Sequence, residues 1–222
     1  MNLRAVPMLA VLLLGGCFSI NSDISVGDGE SVSRSLNTVN GSITVGSDAT
    51  VEGNARTVNG SVSIGSGSRV EHVETVNGKV TLRRGATAAS LEGVNGNLEI
   101  GPGARVSGDA ETVNGRILLG PETVVDGTVE AVNGQIRLQG ATAGSLVNIN
   151  GGMVLEEDSR VLGELRVNKP RGSGVDGKVL VEIHADCEVA GPLVFERPVT
   201  LRIHRSATVG EIRGAEPEYF GG

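Results

Sequence analysis

The tetrapeptide TVNG occupies residues 38–41 and returns at 57–60, 75–78 and 112–115, with GVNG at 93–96, AVNG at 131–134 and NING at 148–151. Counted on Asn40, Asn59, Asn77, Asn95, Asn114, Asn133 and Asn150, the intervals are 19, 18, 18, 19, 19 and 17 residues. Self-similarity at such a period marks a solenoid, in which each repeat lies on the one before it. Three and five residues after each asparagine stand two apolar residues separated by one other: Ile43/Val45, Val62/Ile64, Val80/Leu82, Leu98/Ile100, Ile117/Leu119, Ile136/Leu138 and Met153/Leu155. Alternation of this kind predicts a half-buried strand.

Further apolar positions recur eleven residues after most corners (Val51, Val70, Ala88, Val106, Val125, Val161) and four residues before each (Leu36, Ala55, Val73, Leu91, Ala110, Val129, Leu146). Each repeat therefore offers three short apolar patches separated by bends. A helical repeat would show a 3.6-residue period and little glycine, whereas this chain carries 34 glycines. One repeat cannot cover its own apolar side; stacked repeats can. The predicted fold is all-β, a single-stranded parallel β-helix (β-solenoid) of about ten coils of 17–19 residues, with the right-handed form favoured. Aromatics make up only 2 % of the chain, namely Tyr219, Phe18, Phe195 and Phe220. An interior without them must be filled by regularly stacked aliphatics.

At the corner, Asn and Gly suggest left-handed backbone angles, and stacked asparagines suggest an amide ladder. Thr38, Thr57, Thr75 and Thr112 suggest a second column with cross-strand pairing. The register reaches back to Ile20-Asn21-Ser22 and forward to Val167-Asn168-Lys169, is interrupted at KPRGSGVDGK, and resumes at Val181/Ile183 and Leu201/Ile203. The expected organisation is an export signal at 1–16, a short tether at 17–19, regular coils at 20–168, an inserted loop at 169–178, degenerate coils at 179–212 and a capping tail at 213–222. Ten rungs at ~4.8 Å make a rod of about 45–50 Å.

The N-terminus, MNLRAVPMLAVLLLGGC, has one basic residue, Arg4, and an apolar run too short to span a bilayer as a helix but suited to an export signal. Leu14-Gly15-Gly16-Cys17 resembles the lipobox of bacterial lipoproteins. The resemblance implies cleavage before Cys17, diacylglycerol on its sulfur and, with Phe18 next, the outer membrane. Cys187 is then left without an intrachain partner. The net charge of −7 argues against nucleic acid and against anionic lipid headgroups as electrostatic partners.

VGSDATV (45–51), IGSGSRV (64–70) and IGPGARV (100–106) repeat a second bend, and in them the chain resembles bactofilin-like, polymer-forming β-solenoids; the TVNG recurrence resembles adhesin-type repeat proteins of bacteria.

Three groups of residues are candidate sites. His184 and His204 stand one coil apart in IHADCEV and IHRSATV, beside Asp186 and Cys187. A zinc site wants three or four convergent ligands, so the histidines read first as exposed bend residues. Cys187 falls on a column of small residues with Ala49, Ser68, Ala104, Thr123, Ser159 and Ala207, and reads as a buried small side chain. Glu74, Glu92, Glu111 and Glu130, with Arg56 ahead of them, predict stacked carboxylates that either hold calcium, form an acidic contact strip, or splay into water partly paired with Lys79 and Arg116. Glu156, Glu157 and Asp158 are adjacent carboxylates in a bend. With scarcely an aromatic platform for a sugar ring and no nucleophile motif or phosphate loop, a polysaccharide-active enzyme is the weakest reading.

The sequence therefore predicts a non-enzymatic, lipid-anchored structural, scaffold or adhesin-like module at the cell envelope, with no cofactor. Its partners are the membrane, through acyl chains on Cys17, and an envelope protein or polysaccharide. It is expected to be a monomer, the alternative being a self-assembling, polymer-forming subunit.

Overall fold

The computed structural model describes residues 17–170 and 177–222. The export signal at 1–16 and most of the insertion at 169–178 lie outside the described residues. Among those described, the chain is a parallel β-solenoid of about ten turns without a helix.

The strand after each asparagine corner forms one face. Eleven such strands, from Ile24–Val26 to Pro217–Phe220, stack in chain order into one sheet. Period-two alternation sends Ile43 and Val45 inward and Thr44 outward. Parallel pairing then places Ile43, Val62, Val80, Leu98, Ile117, Ile136 and Met153 on one vertical column, each fully buried. Burying each such side chain contributes about 1.5–3 kcal/mol, and it does so only once the next coil is in place.

The other two faces belong to one 17-stranded sheet. In most 19-residue coils a short strand, such as Thr50–Val51, is followed by a three-residue bend, Glu52-Gly53-Asn54, and a longer strand, Ala55–Asn59, whereas the coil between Asn114 and Asn133 runs as one bulged strand, Val124–Ala131. In the two consecutive 18-residue coils only two residues separate the inward positions. The bend is absent, and the chain runs straight through Arg69–Asn77 and Thr87–Asn95, nine residues each. These continuous strands join the two faces into one sheet, so the three predicted patches are distributed over two sheets.

Three boundaries differ from the sequence reading. Cys17–Ser19, expected as a tether, is already a strand, with Cys17 paired to Leu36 and Ser19 to Thr38. Val167 pairs with Asn148 rather than Ile149, so Asn168 does not continue the corner column; Lys169 takes that place. The expected capping tail lies over the last coil in a form the sequence did not specify. Pro217–Phe220 adds as a further parallel strand on Val199–His204, with Pro217 over Leu201 and Tyr219 over Ile203. Its inward positions thus continue the core columns, and Tyr219 remains 56 % exposed because no coil covers it.

Candidate functional site

The asparagine corner is a continuous ladder. Asn59 Nδ2 donates to Asn40 Oδ1 at 2.8 Å, Asn77 to Asn59 at 2.8 Å, Asn95 to Asn77 at 2.9 Å, Asn114 to Asn95 at 2.8 Å, Asn133 to Asn114 at 2.9 Å and Asn150 to Asn133 at 2.8 Å. Below, Asn40 donates to Asn21 at 2.8 Å. Above, Arg197 ends the series, its guanidinium donating to Asn150 Oδ1 at 2.9 Å, Ile149 O at 2.8 Å and Gly177 O at 2.6 Å. Arg197 reaches this place because Phe195 pairs with Val167, which sets Arg197 over Lys169 on the corner column. An asparagine-based register could not reveal it, since the column changes residue type across the insertion.

The corner's backbone differs from the expectation. None of its asparagines or glycines has a positive φ. Glycine is required instead by vertical approach: a Cβ on Gly60, Gly78, Gly96, Gly115, Gly134 or Gly151 would overlap the carbonyl oxygen of the corner glycine one coil below. Thr38, Thr57 and Thr75 pair across successive rungs as expected, but their hydroxyls bond to the backbone rather than to one another. Thr57 Oγ1 donates to Gly41 O at 2.8 Å, Thr75 to Gly60 O at 2.9 Å and Thr112 to Gly96 O at 3.0 Å, so each buried hydroxyl caps the carbonyl that crowds the next glycine. The left-handed position lies at the second bend, where Gly67, Gly85 and Gly103 have φ of 69°, 67° and 67° and Asp48, Glu122 and Asp186 have 54°, 60° and 58°.

The carboxylate column is real. Arg56, Glu74, Glu92, Glu111 and Glu130 occupy successive rungs. Its cationic partner is Arg56, whose Nε lies 2.6 Å from Glu74 Oε2, while Lys79 pairs with Glu99 at 2.5 Å. The pairing expected with Lys79 is thus replaced by that with Arg56. Partial burial pushes the Glu74 carboxyl above its ordinary value; Arg56 opposes this and Glu92 adds to it. Burial, then the Asp109 charge, pushes Glu130 up as well.

His184 and His204 are not simple exposed bend residues. The tail strand brings Phe220 edge-on to both imidazoles, with centroids 5.7 Å and 5.4 Å away, and Arg202 lies 4.8 Å over the Phe220 ring. Glu182 gathers His184 at 3.3 Å and Arg202 at 3.1 Å. The histidines therefore grip the tail. Cys187 is 1 % exposed on the column of small residues that includes Ala49, Ser68 and Ser159, and its burial raises the thiol pKa. No group of three or more His, Cys, Asp or Glu side chains that could hold a metal occurs among the described residues. Cys17 begins the first strand, and its sulfur lies outside what is described.

A recess lies on the outer face of the stack. Where the two 18-residue coils run straight, they leave a notch of about 510 Å³ below the bend Ser107-Gly108-Asp109. The strand backbone at Val70, Ala88 and Ala89 lies beneath it, with the Val70 and Ala88 side chains turned into the core, and Arg69, Glu71, His72, Thr87, Arg105 and Ser107 form its polar lining. Thr87 is paired with Arg69 below and Arg105 above. His72 and Ser90 face each other across one rung, Nδ1 to Oγ 2.7 Å. Arg105 reaches Asp126 at 2.7 Å, whereas Arg69 has no ion pair among the described residues. None of the polar lining residues was a candidate site in the sequence; the signal was the pair of adjacent 18-residue intervals.

No protein-family model, curated protein or solved structure matches this chain.

Proposed function

We propose that the chain is an exported, lipid-anchored, non-enzymatic β-solenoid that serves as a structural, scaffold or adhesin-like module of the bacterial cell envelope, held at the outer membrane through Cys17. The observation that carries this reading is the pairing of Cys17–Ser19 with Leu36–Thr38. An acyl group on Cys17 would join the first rung with no flexible spacer, turning a stack of about ten coils into a stiff post on the membrane. The lipobox-like Leu14-Gly15-Gly16-Cys17 supplies the chemistry. The experiment is detergent-phase partitioning of the full chain expressed in a bacterium. The protein is expected in the detergent phase and Cys17→Ala in the aqueous phase; identical partitioning overturns the anchor.

A second reading, end-to-end assembly into bactofilin-like polymers, draws support from the outer edges of Cys17–Ser19 and Pro217–Phe220, which pair with no further strand among the described residues. Two observations favour the single post. Pro217 lacks a backbone donor on the terminal strand. Carboxylates also gather at both ends, Asp23, Asp28 and Glu30 at the first coil and Glu211, Glu216 and Glu218 at the last. Sedimentation of a 20–222 fragment as large assemblies would reverse that preference.

A further inference from the structure

We propose that the notch across Arg69–Asn77 and Thr87–Asn95 is a binding site for an acidic sugar, a hydroxyl-rich ligand carrying one carboxylate or phosphate. It goes beyond the envelope role above and does not depend on membrane attachment.

The charge at the notch runs against that of the molecule. On a chain of net charge −7, Arg69, Arg83, Arg84 and Arg105 fall within three successive coils. Arg83 and Arg84 are exposed on the bend that leads into Thr87–Asn95, and neither they nor Arg69 has an ion pair among the described residues. Rungs of a parallel ladder are ~4.8 Å apart, so Arg69 and Arg105 bracket the Thr87 hydroxyl on adjacent rungs. Two guanidiniums around a hydroxyl donate several parallel N–H bonds to one oxyanion, the geometry in which arginine exceeds lysine. Asp126 holds Arg105 from one side, and a guanidinium with five N–H groups keeps others for a ligand.

The remainder of the lining specifies the rest of the ligand. Glu71 accepts hydrogen bonds, Ser107 both donates and accepts, and His72, engaged with Ser90 through Nδ1, retains Nε2 for a further bond. These groups suit hydroxyls. Among the lining residues only the half-buried Ala89 offers an outward apolar contact to the C–H face of a saturated ring, and no Phe, Tyr or Trp lines the notch to stack on a planar one. About 510 Å³ admits a mono- or disaccharide. The site coincides with two coils that each lack one residue, at the level where the coil between Asn40 and Asn59 carries the bend Glu52-Gly53-Asn54.

The test is calorimetric titration of the full chain, in detergent, with galacturonate, glucose 6-phosphate, inorganic phosphate and glucose. At least one acidic sugar is expected to bind, which one telling carboxylate from phosphate, while glucose does not. Arg69→Ala should weaken binding about tenfold, the scale of a lost charge-assisted hydrogen bond. Arg213→Ala, on the last coil, should not change it. Arg69→Lys, which keeps the charge and loses the fork, serves should the alanine variant not fold. No binding of either acidic sugar, or equal losses in Arg69→Ala and Arg213→Ala, overturns the site. Inorganic phosphate binding as tightly as the sugar phosphate overturns the sugar assignment.

Discussion

At the asparagine corner Gly60, Gly78 and Gly96 sit with negative φ, each directly above the carbonyl of the corner glycine before it, whereas at the second bend Gly67, Gly85 and Gly103 sit with φ near 68° and, at Gly103, nothing within 4 Å of a would-be Cβ. The same residue recurs once per coil at both places for unrelated reasons. At the corner it is a matter of contact between coils, so the requirement is absolute in space and indifferent to φ. At the second bend it is a matter of backbone conformation within a coil, so Asp48, Glu122 and Asp186 can replace glycine at a cost in strain. A repeat protein thus conceals two separate constraints under one letter.

The contrast can be broken by substitution. Gly96→Ala should cost about 3 kcal/mol in urea unfolding, because the new methyl meets the Gly78 carbonyl, which is backbone and cannot swing aside. A loss no larger than that at the second bend would abolish the distinction. Asn95→Ala removes two ladder bonds, to Asn77 and from Asn114, and at about 1 kcal/mol each, reduced by exposure, should cost about 1.5 kcal/mol. Gly103→Ala meets no neighbour and should cost about 1 kcal/mol from the left-handed angle alone. The reverse change, Glu122→Gly, relieves that angle and should raise stability by about 0.5 kcal/mol after the entropy of the added glycine is subtracted. A fall in stability there would mean that the Glu122 side chain matters more than its backbone.

The smallest effect concerns the corner's flank. Glu74 and Glu130 have folded pKa values raised above the 4.5 of a free glutamate. Their contribution to stability is fully present below that value and lost as pH rises through the folded pKa. Unfolding midpoints of the parent should therefore rise on acidification from neutrality toward 4.5, and the Glu74→Gln/Glu130→Gln variant should show a shallower rise. Equal slopes in the two proteins would remove the carboxylate column from the account.

The histidines and the tail illustrate what a repeat register reads and what it omits. His184 and His204 were legible as neighbours one coil apart, since both fall on the same position of the same bend. That Phe220 lies against both was not, because the tail carries no TVNG to register it and its strand position follows from pairing with Val199–His204. Lys79 illustrates the limit differently. Its rung was predictable, but its choice of Glu99 over the carboxylate column depends on which face each strand presents after the turn.

The period, the inward aliphatic columns, the asparagine ladder, the stacking of Glu74 to Glu130 and the burial of Cys187 were all determined by the sequence itself. A parallel stack converts equal spacing along the chain directly into vertical neighbourhood. What only the tertiary structure decided is where that conversion fails or ends. The missing bend in the two 18-residue coils becomes a notch, Arg197 takes over the corner column beyond the insertion, and the tail becomes the last rung. These features depend on one-residue changes of register and on contacts between coils, and a one-residue slip alters which side chains meet while leaving the composition of the repeat unchanged.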